Sequence, residues 1–132
     1  MKKLFFLFAI TIIACVGCGK VDPEKAKELV TALIQKIDSG KYAETSGYYT
    51  DEFNAGESLG VRTEKFKKLK EVFGDVETIE CISEKKSVDP DDRPTVQLVY
   101  KIKHTNLTSL EAFTVVSQAG DYKVEQHDIK QQ

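Results

Sequence analysis

The spacing of apolar residues changes along this chain, and each change marks a different kind of segment. Leu4 to Ala14 is an uncharged, almost wholly apolar run preceded by Lys2 and Lys3. From Ala26 onward the apolar positions recur at helical spacing, as Ala26, Leu29, Val30, Leu33 and Ile37 with Ile34 beside them. Lys25, Lys27, Glu28, Gln35 and Lys36 take the other side. That pattern predicts an amphipathic helix laying one stripe on a core. Asp22 suits its N-cap, Pro23 its first position and Glu24 the positive end of its dipole, while Gly40, after Asp38 and Ser39, suits its C-terminal stop. A weaker helical stretch runs from Lys41 to Phe53, with Tyr42, Ser46, Tyr49 and Phe53 roughly on one face. Asn54 to Gly60, polar and carrying two glycines, reads as a loop. A third helix is expected with Thr63 as N-cap, Phe66, Leu69 and Phe73 as its stripe, and Gly74 as its end.

Beyond Gly74 the period shifts toward two. Val76 to Ser83 is rich in β-branched residues, although its two faces are not cleanly separated. In Thr95 to His104, by contrast, Val96, Leu98, Tyr100 and Ile102 alternate with Gln97, Lys101 and Lys103 as in a half-buried strand. Leu110 to Ser117 and Tyr122 to Ile129 are two further predicted strands. Asp89 to Pro94, His104 to Thr108 and Ala119 to Asp121 carry the turn chemistry between them. The expected fold class is α+β, with N-terminal helices packed on an antiparallel sheet of about four strands.

The first segment is an export signal in form: a basic start, a short apolar core, then small residues. It is too short to span a bilayer, which takes roughly 20 apolar residues, before Lys20, Asp22, Glu24 and Lys25 intervene. With Val16-Gly17-Cys18 it resembles a bacterial lipoprotein precursor, in which a peptidase cuts before a cysteine bearing a diacylglyceryl thioether. That resemblance implies Cys18 as the lipid attachment site, with residues 1–17 as signal peptide, 18–23 as tether and 24–132 as a single α+β domain. The alternative is Cys15, preceded by Ile12-Ile13-Ala14, which fits the family's aliphatic position better but leaves a very short signal. Two or more acyl chains hold a protein at a membrane stably where one does not. The implied location is the cell envelope, on the extracytoplasmic side of a membrane, which in a Gram-negative host is the outer membrane facing the periplasm.

The two cysteines near the start therefore do not read as a redox pair, because a thioredoxin-like motif belongs in a βαβ setting. If Cys18 is the anchor, Cys81 is left as a small buried apolar residue. If Cys15 is the anchor, a Cys18–Cys81 disulfide becomes available in an oxidising compartment.

Composition narrows the partners. Removing Lys2 and Lys3 with the signal leaves 17 basic against 21 acidic residues, a formal charge of −4. Such a balance supplies no basic footprint for nucleic acid, and no cluster of about 4–8 basic residues for anionic lipid headgroups. Lys65, Lys67, Lys68 and Lys70 on the third helix read as a solvated face opposite Phe66, Leu69 and Phe73.

Four stretches carry a second resemblance. "LIQKIDSGKYAETSGYYTDEF" (33–53) is similar to the first-helix end and turn of small bacterial members of the nuclear transport factor two-like superfamily, the cystatin-like cones. "TEKFKKLKEVFGDVETIE" (63–80) resembles their third helix running into the first long strand. "PTVQLVYKIKHT" (94–105) resembles a central strand, and "QAGDYKVEQHDI" (118–129) their Gly-x-aromatic-Lys-Val ending. The resemblance implies a cone-shaped roll of helices on a curved sheet, and dimerisation through the open sheet face is common among its members. It implies no single function.

Enzymes of that superfamily place acids, Tyr or His inside the cone. Tyr48, Tyr49 and Asp51 are candidates here, as are His104 and His127, and Tyr100 with His104 at i, i+4 on one strand face is the best alternative catalytic pair. The competing reading leaves His104 in solvent at the strand end and Tyr100 in the core. His127, in a polar strand end, reads as a surface residue. No zinc, phosphate-loop, nucleophile-elbow or calcium-loop signature is present, and no cofactor is implied. Asn106-Leu107-Thr108 fits a glycosylation acceptor but reads as a hairpin turn. The expected function is a non-enzymatic, membrane-anchored lipoprotein whose domain binds a partner protein or small ligand. The alternative is a lipid-anchored isomerase- or dehydratase-like enzyme using Tyr100 and His104.

Overall fold

Residues 20–132 are described by a computed structural model, and Cys15, Cys18 and the rest of the signal-like segment lie outside the described residues. Helix α1 spans Pro23–Asp38, as the apolar spacing predicts. The Asp22 side chain accepts from the Glu24 amide and Pro23 fills the first turn, so capping and proline chemistry act together. Ala26, Val30, Leu33 and Ile34 form its buried stripe. Val21, just ahead of the cap, is itself in the core, and the Asp22 amide donates to the Tyr122 hydroxyl at 2.7 Å.

The second predicted helix is not continuous. A 3₁₀ helix covers Tyr42–Tyr48, Tyr49 is extended, and a short α-helix α2 covers Asp51–Gly56 with Thr50 as its N-cap. The interruption has a cause in the sheet. Tyr49 bridges Val124 in parallel, and the Thr50 amide donates to the Val124 carbonyl at 3.0 Å, so this piece of chain covers the edge of the last strand. The expected loop at 54–60 shrinks to Glu57 and Ser58. Helix α3 spans Leu59–Phe73 and begins at Ser58, whose hydroxyl accepts from the Val61 amide; Thr63, expected as the cap, lies inside the helix.

Four antiparallel strands complete the chain in the order β1-β2-β3-β4: β1 Val76–Val88, β2 Pro94–His104, β3 Thr108–Gln118 and β4 Asp121–Gln131. The helices cover one face. There Val96, Leu98, Tyr100, Ile102, Phe113, Val115 and Val124 meet α1 and Tyr49 in one apolar core. Strand β1 has irregular faces because its pairing with β2 shifts register at Glu77 and again at Ile82. Each extra residue reverses the inside-outside parity of the strand beyond it.

Gly74 joins α3 to β1 at φ +86°, ψ −167°, a region open essentially to glycine alone, and a Cβ there would stand 2.9 Å from the Thr105 Cβ. Gly74→Ala is therefore expected to cost about 2 kcal/mol. Urea unfolding checks this, and an unchanged midpoint would refute the strain.

Candidate functional site

Strand β3 turns Ser109, Glu111, Phe113 and Val115 toward the helices. Strand β4 turns Val124 the same way, and strict alternation would then send His127 outward. The pairing of β3 with β4 slips between Thr114–Gln126 and Val115–Val124, so Glu125 is an extra, bulged residue. After the bulge the parity is reversed and His127, opposite Phe113, points inward. This corrects the surface assignment of His127: its side chain is only 2% exposed. Arg93, in the β1–β2 turn, holds both Asp89 and the bulged Glu125, so one ion-paired arginine ties that turn to the bulge.

His127 stacks on Phe113 with centroids 4.2 Å apart and lies between two polar partners. Its Nδ1 is 2.9 Å from the Tyr49 hydroxyl and its Nε2 is 2.8 Å from Glu111 Oε1. Burial pushes the Tyr49 phenol well above its ordinary pKa, so it stays protonated and has a proton to offer Nδ1. Nε2 faces a carboxylate, which can only accept, so this nitrogen carries a proton and donates to Glu111. On the other side of Glu111, the Ser109 hydroxyl donates to Oε2 at 3.4 Å, and His104 Nε2 lies 2.9 Å from Ser109 Oγ. Ser109 has one proton, and when Glu111 takes it His104 Nε2–H donates to Ser109, in the tautomer that leaves Nδ1 bare. Donors thus converge on Glu111 from both sides. His104 Nδ1 is buried and without a partner among the described residues.

A second buried charge adjoins this chain of bonds. Arg62, on α3, is 1% exposed, and its guanidinium lies 4.5 Å from the centroid of the Tyr49 ring and 5.3 Å from that of Phe53. Nε donates to Glu57 Oε1 at 3.2 Å, and Nη2 donates to Asn54 Oδ1 at 2.7 Å and to the Glu57 carbonyl at 3.2 Å. Arg62 was not among the residues singled out from the sequence, although one signal was there: it precedes Phe66, Leu69 and Phe73 by four, seven and eleven positions, on the same stripe.

Burial raises the pKa of Glu57, but the hydrogen bonds and charges of Lys65 and Arg62 outweigh it and hold the carboxyl below its ordinary value. A carboxyl with a depressed folded-state pKa stabilises the fold fully above its unfolded pKa, roughly pH 4 to 5, and loses that contribution as pH falls through the folded value. Glu57→Gln should accordingly flatten the loss of stability between about pH 5 and about pH 2. Urea midpoints across that range test it, and parallel curves for the two proteins would contradict it.

Between the last turns of α1, the end of α3 and the adjoining strand ends lies a cavity of about 50 Å³. Ile34, Ile37, Leu69, Phe73, Val76 and Ile129 supply apolar walls, and His104 and Glu111 are its buried polar groups. At its rim Lys70 bonds Asp38 Oδ1 at 2.7 Å and Asp75 at 2.9 Å. His104 is therefore buried, at 8% exposure, and packs edge-on to Phe73.

The structure gives Tyr100 and His104 separate partners. Tyr100 donates to the Lys27 carbonyl on α1 at 3.4 Å and meets Phe113 edge-on, whereas His104 goes to Ser109. Tyr48 packs at the margin of the core and Asp51 is exposed. Cys81 is half-buried and has no disulfide partner among the described residues, Cys15 and Cys18 lying outside them. Of the α3 lysines, Lys67 and Lys68 are exposed, while Lys65 and Lys70 are drawn into ion pairs. Among the described residues no group of His, Cys, Asp and Glu is placed to hold a metal, and no helix is long and apolar enough to cross a membrane. No protein-family model matches the chain, and no curated protein matches it.

Proposed function

We propose that this chain is a membrane-anchored bacterial lipoprotein whose extracytoplasmic domain, a cystatin-like cone, is a non-enzymatic binding module. The anchor reading rests on the basic start, short apolar core and Val16-Gly17-Cys18 of the sequence. The observation that carries the binding reading is the cavity. Its volume of about 50 Å³ is far below the roughly 300–1,000 Å³ of pockets that enclose drug-sized molecules, which favours recognition of one end of a ligand over enclosure of a whole one. Tyr49 and His127, the residues best suited to proton transfer, are fully engaged in bonds to one another and to Glu111. What the cavity offers is a small, polar-ended recess that one end of a ligand can enter.

The anchor is tested by intact mass and detergent partition of the wild type, Cys15→Ala and Cys18→Ala. The wild type and Cys15→Ala should carry lipid and enter the detergent phase, and Cys18→Ala should do neither. Lipid retained in Cys18→Ala would move the anchor to Cys15, and an aqueous, unlipidated wild type would refute the reading.

A further inference from the structure

The cavity has a chemical polarity as well as a size. Three donors point at Glu111 and its neighbour: the Tyr49 hydroxyl acts through His127, His127 Nε2–H acts directly, and Ser109 takes up the other carboxylate oxygen. An ionised carboxylate offers about four lone-pair sites, and these bonds occupy two of them. In the tautomer whose Nε2–H donates to Ser109, His104 Nδ1 is a second open acceptor, and it is the tautomer that an ammonium at Nδ1 selects. Both residues are more than nine-tenths buried and both line the cavity. The other donor-bearing side chain on the lining is Lys70, and its ammonium is held by the Asp38 carboxylate and carbonyl and by Asp75. In that tautomer the open buried groups of the interior are acceptors.

Charge points the same way. Asp38, Asp75 and Glu111 stand against the single ammonium of Lys70, so the recess and its rim are formally anionic. An occupant must bring hydrogen-bond donors, gains from a positive charge, and has to pass apolar walls with little width to spare. A primary ammonium on an unbranched aliphatic stem meets all three demands: it has three donors, no acceptor and a narrow methylene chain. A water needs about 10–15 Å³ of such space, so about 50 Å³ accommodates roughly three to five heavy atoms.

We propose that this cavity receives a primary alkylammonium group, with Glu111 as counter-ion, His104 Nδ1 as second acceptor and the walls from Ile34, Ile37 and Leu69 around the stem. A free alkylamine and the end of a lysine side chain present this same chemistry. The assignment rests on the binding reading of the domain and is independent of which cysteine carries the lipid.

The test uses the lipidated mature protein in nonionic detergent, titrated with butylammonium, butan-1-ol, butyrate and Nα-acetyl-lysine methylamide while backbone and histidine-ring NMR signals are monitored. Butylammonium should shift the His104 ring and the Leu69 and Glu111 amides saturably, at least about tenfold more tightly than butanol, and butyrate should leave them still. Glu111→Gln should weaken the ammonium about tenfold or more. Because that substitution disturbs buried bonds, Ile37→Phe serves as a second variant, closing the recess from its half-exposed side without touching Glu111. It should abolish the shifts while the rest of the spectrum is preserved.

A response to the lysine derivative equal to that of butylammonium identifies a partner's lysine as an acceptable source. A response to butylammonium alone restricts the site to free amines. Butanol binding as tightly as the ammonium, or butyrate binding at all, would overturn the assignment. Silence from all four probes would mean that the recess holds water only, and would overturn it too. Capture of a stoichiometric partner by the anchored protein despite that silence would leave the binding reading standing, so the two failures are distinct.

Discussion

Replacing Arg62 with alanine is expected to lower the unfolding free energy by about 3–5 kcal/mol. The guanidinium is buried, and its removal leaves Asn54 Oδ1 and Glu57 Oε1 without a donor and opens a gap against the Tyr49 and Phe53 rings. The loss should come from broken pairing rather than from the charge as such. Arg62→Met combined with Glu57→Gln keeps most of the volume and leaves no lone buried charge, so the double variant should be distinctly more stable than Arg62→Ala. Urea unfolding of the three proteins decides it. A cost below about 1 kcal/mol for Arg62→Ala would mean that Arg62 does not hold the helices to Tyr49.

Glu111→Ala should cost nearly as much, about 3–4 kcal/mol, because two buried donors, His127 Nε2–H and the Ser109 hydroxyl, lose their acceptor together. Glu111→Gln retains one carbonyl oxygen and should be milder. A double-mutant cycle with His127→Ala isolates the bond between them and should return a coupling of roughly 1–3 kcal/mol. If the two effects simply add, within about 0.5 kcal/mol, the carboxylate and the imidazole are not acting as a pair.

Where backbone periodicity was regular, the sequence was readable. The α1 stripe, its Asp22 cap, the β2 alternation and the order of helices before strands all appear where spacing places them. The polar core was hidden for one recurring reason, since single extra residues reverse a strand's faces without changing its composition. Counting from Val124 puts His127 in solvent, and the bulge at Glu125 puts it beside Phe113. The same effect at Glu77 and Ile82 blurred β1. The Lys41–Phe53 stretch misled differently. Its helical spacing is real on both sides of Tyr49, but the sheet edge captures the residues between, and no local pattern announces a partner 75 positions away in Val124. Arg62 was overlooked because arginine on a helix is usually solvated, and only its register with Phe66 argues otherwise.

The burial of Val21 sets a distance. With the proposed lipid on Cys18, the three steps from Cys18 to Val21 reach at most about 11 Å, and Val21 is already fixed in the core beside Tyr122. The proposed anchor would then hold the chain at Val21, just ahead of α1, within that distance of the lipid. Its 16 residues carry the chain about 24 Å to Asp38, at the rim of the cavity. On that proposal the recess stands one helix length away from the tethered start of the domain, so the length of α1 sets how far an occupant binds from the anchor.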